Sequence, residues 1–143
     1  MLTNNGIDIE KSYPYDGKKG QCRFKSANRT AALSSYVFVE REENALADAV
    51  SKIGPVAVMI DATPKSFRFY QSGVYDDVQC SGELLTHGMT VTGFDYENWH
   101  LRNSFGADWG EEQGTMRLSR AKGNLCGIFS RASYPILKPK STI

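Results

Sequence analysis

Between Glu42 and Asp61 the hydrophobic period of this chain changes abruptly, and that change restricts the fold more than any other feature. Leu46, Ala49, Val50 and Ile53 recur at i, i+3, i+4 and i+7 with polar residues between them, which is one apolar stripe on a helix. Glu42 and Glu43 put negative charge at the positive end of that helix, and Gly54-Pro55 stops it. Val56-Ala57-Val58-Met59-Ile60-Asp61 follows at once as a buried strand. Phe67, Phe69 and Tyr70 predict a short packed turn or helix. Met89–Phe94, Trp99–Arg102 and Thr115–Leu118 predict further strands separated by Gly-rich turns. One helix packed on several antiparallel strands is an α+β layout, expected here as a small antiparallel, barrel-like sheet.

The flanks differ. Residues 1–36 have little hydrophobic periodicity, are punctuated by Gly6, Pro14, Asp16-Gly17 and Gly20, and read as an extended segment that needs something to lie against. Residues 37–137 carry the sheet, and 138–143 read as a loose tail. At 143 residues there is room for about one domain. Seventeen basic and 16 acidic residues are mixed along the chain, a net charge of +1, which offers no patch for nucleic acid or a membrane surface. No apolar run approaches a membrane span, and Met1–Gly6 has no basic or apolar signal-peptide region. Cys22, Cys80 and Cys126 match no zinc spacing. Their odd number leaves open three reduced thiols or a thiol whose partner lies elsewhere. Asn28-Arg29-Thr30 is an N-glycosylation acceptor motif, meaningful if the chain is secreted.

Chemistry concentrates at His87 and Asn103. A histidine becomes a general base when a second group positions its ring and fixes its tautomer, and an Asn carbonyl can do so without adding charge. Two strands ending side by side would bring the pair together. A lone histidine is more often a satisfied structural side chain; here its context argues otherwise.

That context extends over nearly the whole chain. Asn5-Gly6-Ile7-Asp8, Ser12-Tyr13-Pro14-Tyr15, Gly54–Ala62, Phe69–Tyr75, Leu85-Thr86-His87-Gly88, Asn103–Gly110, Asn124–Ile128 and Ala132–Pro135 together resemble the cathepsin L-like branch of the papain-like cysteine proteases, in order and at family spacing. The resemblance is to the C-terminal, right-hand domain portion. In that family the nucleophilic Cys lies near the mature N-terminus, with the His and Asn about 130–150 residues downstream. Only 86 residues precede His87 here, so the nucleophile is expected on the order of 45–65 residues before Met1.

The resemblance implies peptide-bond hydrolysis without cofactor or metal. It implies that His87 is the base paired with the Cys thiolate and Asn103 its orienter. Trp109 would flank the leaving-group side and Phe105 would cover the His–Asn bond, where the family usually has Trp. Leu85, Gly88, Met59 and Arg131 would line the pocket that selects the substrate residue two before the scissile bond (P2). Cys80 and Cys126 would form a disulfide, and Cys22 would be a half-cystine whose partner lies in the absent N-terminal half, to which residues 1–36 would cross. Implied partners are peptide or protein substrates, that missing half, and cystatin-like or propeptide inhibitors; the implied location is lysosomal or secreted. Thr86 departs from the usual Asp or Asn, and the turn Glu111–Thr115 is one residue longer than the family's. Neither the Cys-Gly-Ser-Cys-Trp block nor the oxyanion-hole Gln is present in these residues, so the chain alone is expected to be inactive. The alternative is a non-catalytic binding or decoy protein of the same fold.

Overall fold

A computed structural model describes residues 6–138. In chain order it contains β1 (Ile7–Asp8), a 3-10 turn (Ser26–Asn28), β2 (Arg29–Ala31), β3 (Leu33–Phe38), α1 (Glu43–Lys52), β4 (Val56–Ile60), α2 (Lys65–Arg68), β5 (Val74–Tyr75), β6 (His87–Phe94), β7 (Asn98–Arg102), β8 (Thr115–Ser119), a second 3-10 turn (Leu125–Gly127) and β9 (Ala132–Leu137). The described residues form two compact units, one running up to Val37 and resuming at Pro135, the other Phe38–Tyr134.

The larger unit is a sheet in the order β9–β4–β6–β7–β8–β5. Its central strand, β6, runs antiparallel to β4 with Val56 opposite Val91, Val58 opposite Met89 and Ile60 opposite His87. On its other side it runs antiparallel to β7, with Thr90 opposite Arg102 and an irregularity between Val91 and Gly93. Because side chains alternate between faces, this register gathers Val56, Val58, Ile60, Met89 and Val91 on one buried face. Trp99 and Leu101 of β7, opposite Leu118 and Met116 of β8, extend that face, and the apolar side of α1 lies over β4 and β6. A disulfide joins Cys80 to Cys126 (S–S 2.03 Å), as the resemblance implies, and Cys22 is an exposed free thiol.

Three expectations need correction. The sheet is open rather than barrel-like: β9 and β5 lie at opposite ends of the strand order in this unit and no ladder joins them. Nor is it wholly antiparallel, since β5 runs parallel to β8. In the chain β6 and β7 lie between β5 and β8, so no hairpin joins this pair and antiparallel pairing is not imposed on it. The helix stripe is also shorter than its period suggests. Leu46, Ala49 and Val50 are buried, but Ile53 is 56% exposed. Ile53 is already the C-cap, and Gly54 follows at φ +122°, turning the chain toward β4.

The smaller unit holds more strand than its sequence suggests. β1 pairs with β2, and β3 neighbours β9, with Ser34 Oγ donating to the Ile136 carbonyl (3.1 Å) and Lys138 N to that of Ala32 (2.9 Å). The partners of β3 lie some hundred residues along the chain. Asn28 is exposed in its 3-10 turn. Asn5 and the tail from residue 139 lie outside the described residues.

Leu46→Ala should lower unfolding free energy by about 2–5 kcal/mol, whereas Ile53→Ala should change it by about 0.5 kcal/mol or less. Urea denaturation followed by circular dichroism of both variants checks this; equal losses would contradict the placement of α1.

Candidate active site

His87 opens β6 and Asn103 immediately follows β7, so the antiparallel pairing of the two strands brings residues 16 apart in sequence together. His87 Nε2 lies 2.8 Å from Asn103 Oδ1. The same oxygen accepts the backbone N–H of Ser104 at 2.7 Å. A backbone N–H can only donate, so the Asn103 atom facing it must be the carbonyl oxygen, and His87 Nε2 must be the donor on the other side. The neutral ring therefore carries its proton on Nε2 and presents a bare Nδ1, the arrangement of a general base. Asn103 is held from behind by its own N–H to the Gly114 carbonyl (2.9 Å) and is buried, its Nδ2 without a partner among the described residues.

The ring is packed as well as bonded. Phe105 lies 4.8 Å from it between centroids and Phe67 5.8 Å. Trp109 supports both phenyl rings, at 5.7 and 5.2 Å, and its Nε1 donates to the Arg68 carbonyl (3.3 Å). Phe105 is half exposed and lies over the imidazole, while Trp109 is buried beneath it. Phe67 and Phe105 thus shield the parts of the imidazole that they cover.

Below the ring, the start of β6 is tied to the end of β4. Thr86 N donates to the Ile60 carbonyl (2.9 Å), and Thr86 Oγ1 accepts from Ala62 N (3.0 Å). The buried Asp61 carboxylate accepts from Ser81 N (2.7 Å), Thr63 N (2.9 Å) and Thr63 Oγ1 (2.7 Å). Burial alone would push that carboxyl up, but the hydrogen bonds from Ser81 and Thr63 outweigh it and hold it below the ordinary carboxylate range. A folded-state pKa below the unfolded value gives stability that is present above the unfolded value near 3.8 and lost as pH falls through the folded one. The anchor thus remains ionised at mildly acidic pH.

Two hollows are lined by residues that adjoin or touch His87. The first, about 610 Å³, includes Met59, Gly88, Thr90, Arg102, Asn103 and Arg131 in its lining. Three of the four expected pocket residues therefore meet beside Asn103. Gly88 leaves space that a side chain would share with Met59 Sδ, 3.9 Å from where its Cβ would stand. Arg131 is exposed at this lining and makes no ion pair with the described residues. Leu85 is not in this lining; it packs on Gly127, where a Cβ would come within 2.7 Å of Leu85 Cδ2. Gly127 has φ +78°, so the position suits glycine on both counts. The second hollow, about 480 Å³, is lined by Ala62, Phe67, Arg68 and Phe105. Phe67 and Arg68 were not singled out from the sequence as site residues. The apolar cluster around residue 67 was visible there, but nothing local indicated that it faces a histidine 20 positions on.

Within Phe38–Tyr134 both cysteines are consumed by the Cys80–Cys126 disulfide. The arrangement joins an imidazole to an amide that fixes its tautomer, and neither cysteine of this unit is a free thiol.

Comparisons with known proteins agree with this geometry. The family model described as papain family cysteine protease matches residues 1–136. Mouse cathepsin M is 41% identical over 143 residues, covering 94% of this chain and 43% of that protein. Mouse procathepsin L is 37% identical over 142 residues, covering 94% of this chain and 42% of that protein. The structure of digestive procathepsin L 3 from the larval midgut of Tenebrio molitor superposes with a TM-score of 0.87 at 44% identity, covering 94% of this chain and 45% of that one. The chain thus spans less than half the length of each of these relatives.

Replacing Asn103 with Ala should remove the tautomer preference. In ¹⁵N-edited spectra of the neutral ring, the wild type should show protonated Nε2 and bare Nδ1, and the variant a mixture of tautomers. A wild-type ring protonated on Nδ1 would contradict the hydrogen-bond assignment.

Proposed function

Because the chain belongs to the papain family of cysteine proteases, in its cathepsin L-like branch, we propose that it is the base-bearing C-terminal part of a cysteine endopeptidase whose nucleophile lies in a segment outside these 143 residues. The observation that carries this reading is the His87–Asn103 hydrogen bond, which commits Nε2 to Asn103 and leaves Nδ1 bare.

In this reading His87 Nδ1 takes the proton of the incoming cysteine thiol, and the resulting thiolate–imidazolium pair is the resting state. The thiolate sulfur bonds to the scissile carbonyl carbon. His87 then returns the proton to the leaving amine as the C–N bond breaks. Next it removes a proton from the water that cleaves the thioester, and the thiol is regenerated. Asn103 acts throughout by holding Nε2–H, so that proton transfer occurs at Nδ1. Phe105 and Trp109 wall the leaving-group side. The upstream half also supplies the oxyanion-hole donor and the half-cystine partner of Cys22. Propeptide and cystatin-like inhibitors would occupy the same cleft, and a lysosomal or secreted setting suits the disulfide and the Asn28 acceptor motif.

Met59, Gly88 and Arg131 form the P2 pocket in this reading. Arg131, unpaired at its lining, favours acidic P2 residues. A binding or decoy role is the alternative, favoured by the absence of a free thiol in the unit that holds His87.

Expression of the chain with its preceding coding segment, assayed on peptide substrates, tests the reading. Hydrolysis should appear only in the longer product, and His87→Ala should lower kcat/KM by about 10³-fold or more. No hydrolysis by the longer product would favour the binding role. In the active product, Arg131→Ala should reduce the ratio of P2 Glu to P2 Leu turnover by about three- to tenfold; an unchanged ratio would remove Arg131 from the pocket.

A further inference from the structure

The β7–β8 ladder ends at Arg102, which faces Thr115, and the next bond beyond it joins Asn103 N to the Gly114 carbonyl (2.9 Å). The backbone of the residue that orients His87 is therefore held by the turn Glu111–Thr115. Within that turn Glu111 N donates to the Thr115 carbonyl (2.9 Å), Gly114 N to that of Glu111 (3.0 Å) and Thr115 Oγ1 to that of Glu112 (2.9 Å). These bonds fix the shape of the turn, not its position. The shape also carries strain, because Gln113 has φ 57°, a left-handed conformation that favours glycine. Strained backbone persists where its surroundings hold it.

The side chain that ties this turn to its surroundings is that of Glu111. Its Oε1 and Oε2 accept from Arg117 Nε (3.2 and 3.1 Å), and Oε1 accepts from Arg117 NH2 (2.7 Å). Oε1 also accepts Gly73 N (3.0 Å). Arg117 lies on β8, and Gly73 immediately precedes β5, whose Val74 stands opposite Arg117 in the parallel ladder. The Gly73 carbonyl in turn accepts the Tyr70 hydroxyl (2.6 Å). One carboxylate thus clamps the turn to β8 and to the start of β5. An exposed ion pair usually contributes little, but here the Glu111 side chain is only 22% exposed, meets two guanidinium nitrogens and shares its charge with a backbone N–H. The hydrogen bonds from Arg117 hold its carboxyl below the ordinary carboxylate range, against the opposing effect of burial.

We propose that Glu111 is a positioning residue for His87. Gripped by Arg117 and Gly73 N, it sets where the Gly114 carbonyl stands; that carbonyl places Asn103, and Asn103 Oδ1 keeps the ring proton on Nε2. Glu111 lines neither hollow beside the imidazole, so it acts through the turn and not by contact with a ligand there.

The ¹⁵N shifts of the neutral His87 ring in the 143-residue chain test this. Glu111→Ala should lower the ratio of Nε2–H to Nδ1–H tautomer about three- to tenfold, and Arg117→Ala should do the same. The double variant should fall no further than either, because each removes the same clamp. Glu111→Gln keeps an acceptor for Gly73 N; it should fall less, and it replaces the Ala variant if that one does not fold. Leu46→Ala destabilises the same unit without touching the turn and should leave the ratio unchanged. An unchanged ratio in the Glu111 variants, or an equal fall in Leu46→Ala, would overturn the proposal. A second arm rests on the reading of His87 as the base of a peptidase. In the longer, hydrolysing product Glu111→Ala should lower kcat about three- to tenfold with KM unchanged, and an unchanged kcat would overturn the proposal too. Absence of hydrolysis by the unsubstituted longer product would count against the peptidase reading alone, since the ring spectra do not depend on it.

Discussion

The register of β6 is the constraint on which the rest depends. With Ile60 opposite His87 and Val58 opposite Met89, alternate residues of β6 enter the core, and Gly88 and Thr90 line the first hollow. A slip by one residue would exchange those sets, expose Met89 and Val91, and carry His87 off the face it shares with Ile60. The same ladder, continued through β7, decides where Asn103 emerges. One hydrogen-bond pattern therefore produces both the core and the base–orienter pair, and the site cannot be moved without unfolding the sheet.

Around that register the side chains divide the work. Thr86 and Asp61 pin the segment entering β6 to the end of β4, from below the ring. Phe67 and Phe105 pack on the ring, and Trp109 packs behind both of them. The disulfide and Gly127 bring the turn before β9 against the loop carrying Leu85, two residues before the histidine. Each is a contact between segments separated in sequence, and those of Phe67 and Phe105 bear on the imidazole directly.

Local periodicity made the helix, the strand after it and the three later strands legible before any coordinates. Motif spacing made His87, Asn103 and the disulfide legible through resemblance. What escaped was non-local. β3 and β9 depend on each other across the chain, and Pro135 within β9 argues against a strand when read locally. Openness of the sheet could not be inferred because closure is decided by which edges meet, not by any strand's composition. Phe67 read as core, which it is, but its second role against the imidazole exists only in three dimensions. Ile53 shows the converse error: a correct period continued one residue past the helix end.

Family membership and geometry together support the proposal that these residues contribute a positioned base, while the thiol it would activate lies outside them. The most direct measurement of that claim is labelling by a papain-family active-site thiol probe, followed by mass spectrometry to locate the adduct, on the 143-residue chain alone and on the product that includes its preceding segment. The account predicts stoichiometric, His87-dependent labelling only in the longer product, at a cysteine outside these residues. His87-dependent labelling of the isolated chain, at Cys22 or any other of its own residues, would contradict it.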